Sequence, residues 1–138
     1  MIAYVDASVL LRVVLGQRDR LPEWTHIEAG VVSALAEVEC LRTLDRLRLL
    51  EGLGDELLAE RRSALYRLFE SMHVVDPSRG VLARASLPLP TTLGTLDAIH
   101  LATALLWREE NRIDLVMATH DRALGTAARA MGLSVVGV

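Results

Sequence analysis

The stretch Ile2-Ala3-Tyr4-Val5-Asp6-Ala7-Ser8-Val9-Leu10-Leu11 passes from an apolar strand to a helix through a single acid. Ile2–Val5 reads as the strand and Ala7–Leu15 as the helix. The same alternation continues to the other end of the chain. Pro22 opens a brief helix to about Glu28, and Val31–Ser33 reads as a second strand. A long helix over Ala34–Leu49 follows, and Gly52 and Gly54 separate it from another over Glu56–Phe69. His73–Val75 is a third strand and Ser78–Ala85 a short helix. Ser86–Gly94, with Pro88, Pro90 and Gly94, is a loop. A strongly apolar helix over Asp97–Glu109, a strand at Leu115–Thr119, a helix over Arg122–Met131 and a strand at Ser134–Val136 complete the pattern. Strands alternating with helices predict an α/β fold, a three-layer α/β/α sandwich on a mostly parallel sheet of four to five strands.

The totals fit one globular domain over residues 1–138 with a sizeable core. Hydrophobic residues make up 51% and charged residues 24% of the chain, both globular values. A net charge of −3 gives no overall attraction to nucleic acid or membrane, so any contact with nucleic acid must be local. All 15 basic residues are Arg, which excludes chemistry that needs a lysine amine. Cys40 is the only cysteine, so an intrachain disulfide or a Cys-based zinc cluster is excluded. Its apolar helical setting predicts an inert buried thiol. No signal peptide is expected, because Met1–Val5 lacks a basic segment and runs into Asp6. No apolar run approaches the ~20 residues of a membrane span, and a cytoplasmic location is expected.

Four acids, Asp6, Glu37, Asp97 and Asp121, are expected where strands hand over to helices. In an open parallel sheet, ligands bind beyond the carboxyl ends of the strands. Two unit charges ~4 Å apart at an effective dielectric of ~20 repel by about 4 kcal/mol. Carboxylates gathered there must share protons or neutralise a cation. Helix capping is the plainer explanation for Asp6, Asp97 and Asp121 taken singly. Glu37 resists it. At ~100° per residue, Glu37 falls within an apolar arc of Ala34, Val38, Leu41, Leu44 and Leu47. Glu39 falls on the opposite face with Arg42, Thr43 and Arg46, as a solvated charge. A buried acid is costly unless paired or metal-bound. Asp76, before Pro77, fits a helix cap. Ser8 and Thr119 are placed to orient a carboxylate or to cap an element. His100 fits a hydrogen-bonded core position, and His120 alone is weak evidence for zinc. Arg42 suits a substrate phosphate, a carboxylate or plain surface.

Taken in order, these residues resemble the PIN domain, and more narrowly the VapC-type toxins of type II toxin–antitoxin modules. Val5-Asp6-Ala7-Ser8-Val9-Leu10-Leu11, Leu96-Asp97-Ala98-Ile99-His100-Leu101-Ala102-Thr103 and Thr119-His120-Asp121-Arg122 carry the likeness. The resemblance implies a Mg²⁺- or Mn²⁺-dependent endoribonuclease, usually a dimer, held inactive by a cognate antitoxin. Asp6, Glu37, Asp97 and Asp121 match the family's acidic positions, and Ser8 and Thr119 match supporting ones. Hard oxygen ligands suit these ions, which can activate water for attack on a phosphodiester. A receiver domain and a haloacid-dehalogenase-type phosphatase both use a Lys, which this chain lacks. An RNA-processing nuclease outside any toxin module and a non-catalytic RNA- or protein-binding module remain as alternatives.

Overall fold

Each predicted strand joins a single sheet. A computed structural model describes residues Met1 to Val138. The strands are β1 (Ile2–Val5), β2 (Ala29–Ser33), β3 (His73–Val75), β4 (Val116–Ala118) and β5 (Ser134–Val136). They lie in the order β3-β2-β1-β4-β5. Every pairing is parallel, so the sheet is wholly rather than mostly parallel. The helices are α1 (Ala7–Val14), α2 (Ala34–Glu51), α3 (Asp55–Glu70), α4 (Arg79–Ala85), α5 (Thr95–Asn111) and α6 (Arg122–Ala130), with a 3-10 turn at Pro22–His26.

Side-chain alternation along the strands builds two cores, one on each face of the sheet. Ala3, Val5 and Val32 join Val9 of α1, Cys40 and Leu44 of α2 and Leu65 of α3. On the other face Tyr4, Val31 and Met117 meet Leu101 and Leu105 of α5 and Leu124 of α6. Tyr4 pairs with Val31 on one side and Met117 on the other, so these three share a face by register. The chain runs outward through β2 and β3, then returns to place β4 against β1. That reversal opens a crevice beyond the carboxyl ends of β1 and β4.

Local caps set the entries to the helices. Asp6, Ser33, Ser78 and Asp121 accept hydrogen bonds from the first backbone amides of α1, α2, α4 and α6. Ser78, not Asp76, caps α4, because the helix starts after the Pro77 turn. Asp97 caps nothing. It lies in the first turn of α5, whose cap position is Gly94, and it follows a loop instead of a strand.

Gly137 ends β5 in a left-handed conformation with φ of 102°, and a Cβ there would strike the Thr119 carbonyl. Gly137→Ala is therefore expected to destabilise the chain by about 1–3 kcal/mol in urea unfolding. Gly80→Ala, in helix α4 with only ordinary contact to Ser78 Oγ, should stabilise by roughly 0.5–1 kcal/mol. A neutral Gly137→Ala would contradict this account.

Candidate functional site

Asp6 is the buried centre of the crevice. Its Oδ2 accepts from Ser8 Oγ at 2.6 Å, from the Ser8 amide at 3.3 Å and from Thr119 Oγ1 at 3.0 Å. Thr119 Oγ1 in turn accepts the Asp121 amide at 3.0 Å, and Ser8 Oγ accepts the His120 amide at 3.0 Å. Two hydroxyls thus tie the end of β1, the start of α1 and the end of β4 into one hydrogen-bonded unit. Asp121 spends its Oδ1 on the Leu124 amide at 2.9 Å. Both caps keep one oxygen, Asp6 Oδ1 and Asp121 Oδ2, without a protein donor. The half-buried carboxylate of Asp97 accepts no hydrogen bond from the chain.

These three acids feel one another. The Asp97 pKa is raised above its ordinary 3.8, first by burial and then by the charges of Asp121 and Asp6. No ion pair in the chain involves Asp6, Glu37, Asp97 or Asp121. Repulsion within the crevice is therefore relieved by no ion pair, and only in part by the charge of His100. The donors are the hard oxygens that suit Mg²⁺ or Mn²⁺. No group of three or more His, Cys, Asp or Glu side chains could hold a metal ion by itself, so a cation here must complete its shell with water or substrate.

Helix α2 is turned relative to the expected arc. Its buried residues are Ala36, Cys40 and Leu44, while Val38 is 53% exposed. Small Ala36 and Cys40 let the helix settle close on the sheet, and their low hydrophobic weight hides this stripe behind Val38 and Leu41. The expected role of Glu39 as a solvated charge is overturned. Glu39 Oε1 lies 2.5 Å from His100 Nε2, and its charge contributes to the raised pKa of Asp97. Glu37 is half-buried and sits ~160° around the helix from Glu39. The carboxylate that α2 brings among the other acids is Glu39. The buried spacing Ala36-Cys40-Leu44 leaves Glu37 nearer its edge than Glu39, so the sequence held no local signal for Glu39, which is identified by its contact with His100.

Tyr4 is a further participant that the sequence did not single out. Its hydroxyl meets His100 Nδ1 at 2.6 Å, and both side chains are fully buried. The Tyr4 hydroxyl is pushed well above its ordinary pKa of 10.0, by burial and then by Asp6 and Glu39. Burial opposes charging of His100. The hydrogen bond and charge of Glu39, with Asp6 and Asp97 beyond it, outweigh that cost and raise its pKa above 6.5. Cys40 is a buried free thiol pushed up to about 12 by burial, then by Glu39, Asp6 and Glu37. Too little thiolate forms at neutral pH for it to act as a nucleophile.

The model of the family described as "PIN domain" matches residues 3–130. Ribonuclease VapC46 of Mycobacterium tuberculosis is 31% identical over 138 residues, covering 96% of this chain and 95% of that protein. The chain belongs to the PIN domain family, in its VapC-type branch. Among solved structures, a toxin–antitoxin complex from Klebsiella pneumoniae aligns with a TM-score of 0.69 at 18% identity, covering 97% of this chain and 95% of that one. VapBC2 from Rickettsia felis, bound to a DNA fragment from its promoter, aligns at 0.62 and 13% identity, covering 98% and 97%. At these identities the two structures speak for the fold.

Two expectations follow from the charges. Asp97 titrates above its ordinary value in the fold, so its contribution to stability is full below pH 3.8 and is lost as pH rises through the raised value. Asp97→Asn should raise the melting temperature of metal-free protein at pH 7, and a clear fall would contradict the crowding. His100 has the complementary sign. Its stabilisation is full below pH 6.5 and is lost as pH rises through its raised pKa. Thermal melts of His100→Gln should lose that component of the pH dependence, while an unchanged profile would refute the ion pair.

Proposed function

We infer that this chain is a divalent-cation-dependent endoribonuclease, the toxin of a VapBC-type module, acting as one unit over residues 1–138. The observation that carries this reading is the set of unpaired carboxylates Asp6, Asp97 and Asp121 in the β1–β4 crevice, with Asp97 raised by the other two. The VapC46 relationship supports the substrate class. Mg²⁺ keeps several waters and usually takes one or two carboxylates plus substrate phosphates, which suits a site without a closed protein shell. When bound, the ion supplies a Lewis acid for a phosphodiester and lowers the pKa of water.

The chain's own groups divide the remaining work. Ser8 and Thr119 hold Asp6 so that its free oxygen faces the crevice. Thr119 also fixes the backbone that carries Asp121. His100, braced by Tyr4, sets the carboxylate of Glu39. Glu39 takes the place in the acid set expected for Glu37. Arg42 lines a cavity with Glu39, Arg46 and Leu96, where its guanidinium can meet a substrate phosphate. A cognate antitoxin and a second copy of the chain are the proposed protein partners. Val38, Leu49 and Leu50 of α2 and Leu57 and Tyr66 of α3 are exposed and offer the apolar surface for them. No helix is long and apolar enough to cross a membrane, which is compatible with the cytoplasmic location proposed here.

Purified protein should cleave single-stranded or structured RNA with Mg²⁺ or Mn²⁺, and EDTA should stop it. Asp97→Asn should lower cleavage by at least ~100-fold, on the order of the loss of one strong electrostatic contact in a transition state. Added Mg²⁺ should raise the melting temperature of the unmodified chain more than that of the variant. Glu39→Gln should lose activity while Glu37→Gln keeps most of it. Full cleavage by Asp97→Asn would end this reading, and the reverse ranking of the two Glu variants would restore Glu37 to the site.

A further inference from the structure

We propose that the basic pocket beyond β4 and β5 binds a phosphodiester of the polynucleotide, to one side of the bond that is cut. This assignment rests on the ribonuclease reading and extends it to how the strand is held. The cavity, about 420 Å³, is lined by Arg12 of α1, Arg122 and Arg129 of α6, His120, Gly137 and Val138. No Asp or Glu side chain is among its lining residues, although the chain as a whole carries a charge of −3.

Two of its three guanidiniums have protein partners. Arg12 donates to Asp19 Oδ2 at 2.8 Å and to the Asp19 carbonyl at 3.0 Å. Arg129 donates to the Val138 carbonyl. The third, Arg122, is exposed and takes part in no ion pair. It is the first residue of α6, where a cation is repelled by the positive end of the helix dipole. Asp121, directly before it, caps the helix through the Leu124 amide, while the Arg122 guanidinium stays unpaired. An anion would be met there by the guanidinium.

Placement ties this pocket to the acids. Arg122 follows Asp121 directly, and the His120 amide donates to Ser8 Oγ, the group that also donates to Asp6. His120 is fixed on its other side by Nδ1 meeting the Gly137 carbonyl at 3.2 Å. The sheet order puts β2, whose following helix carries Arg42 and Arg46, on one side of β1 and puts β4 and β5 on the other. The two basic cavities therefore flank the acid crevice. β2 and β5 stand three strand spacings apart, on the order of 14 Å, the span of a few nucleotides. A strand crossing the carboxylates would set phosphates against Arg on each side, and those contacts would offset the repulsion between its backbone and the acids.

The test measures binding of a labelled single-stranded RNA of mixed sequence across a salt series, in the Asp97→Asn chain so that nothing is cut. Arg122→Ala should weaken binding roughly 3–10-fold at low salt and flatten the slope of log K against log salt by about 0.7. Arg122→Lys should keep most of the slope. The comparison variant is Arg112→Gly, which removes one charge where α5 ends ahead of β4, at the opposite edge of the sheet. In the active chain Arg122→Ala should raise KM with kcat within about 2-fold, and its melting temperature should be unchanged or higher. If Arg122→Ala binds RNA as Arg112→Gly does, the pocket is not a phosphate site. A loss in kcat at constant KM would also overturn the assignment. If the unmodified chain neither binds nor cuts RNA, the ribonuclease reading itself fails, and the pocket's ligand with it.

Discussion

Asp6 cannot be buried as a carboxylate without donors, and the way it obtains them organises the whole crevice. Its Oδ2 draws on a hydroxyl two residues ahead and on another 113 residues away in sequence. The second, Thr119, can reach it only because β4 lies beside β1 with Val5 opposite Ala118. Thr119 then lends the same oxygen atom to the Asp121 amide. Strand order, helix capping and carboxylate orientation are therefore one problem with one solution. Loss of the Thr119 hydroxyl would leave Asp6 short of a donor and Asp121 without its anchor.

A second set of contacts crosses the end of the sheet. α2 packs on one face and α5 on the other, and Glu39 and His100 join them at 2.5 Å. Tyr4, from the strand between, braces the imidazole from its far side. Fully buried His100 and Tyr4 admit little rotamer freedom, so Glu39 is held by two rigid layers. This arrangement explains how an apolar core helix can tolerate His100. The imidazole is satisfied at both nitrogens, and the neighbouring acids favour its charged form.

The acids and the arginines serve opposite ends of the same need. Carboxylates that repel one another at about 4 kcal/mol per close pair at a dielectric of ~20 also repel a polynucleotide backbone. With a net charge of −3 the chain has no global field to overcome that. Arg42 and Arg46 line one cavity and Arg122 another, and none of them is tied up in an ion pair with the acids of the crevice.

Reading the sequence alone located every strand and helix to within a few residues, because apolar strands, Gly and Pro breaks and capping residues are local signals. It also identified Asp6, Asp97 and Asp121 as acids of interest and His100 as a hydrogen-bonded core residue. It could not orient α2. The apolar residues of that helix surround it on most sides, and the close approach of Ala36 and Cys40 to the sheet outweighs the larger but exposed Val38. Only the packed layers decide that Glu39 meets His100, and only strand order sets Thr119 beside Asp6. The contacts Glu39–His100 and Thr119–Asp6 join groups 61 and 113 residues apart. Such contacts are fixed by the burial of two faces at once, a constraint that no local stretch of sequence contains.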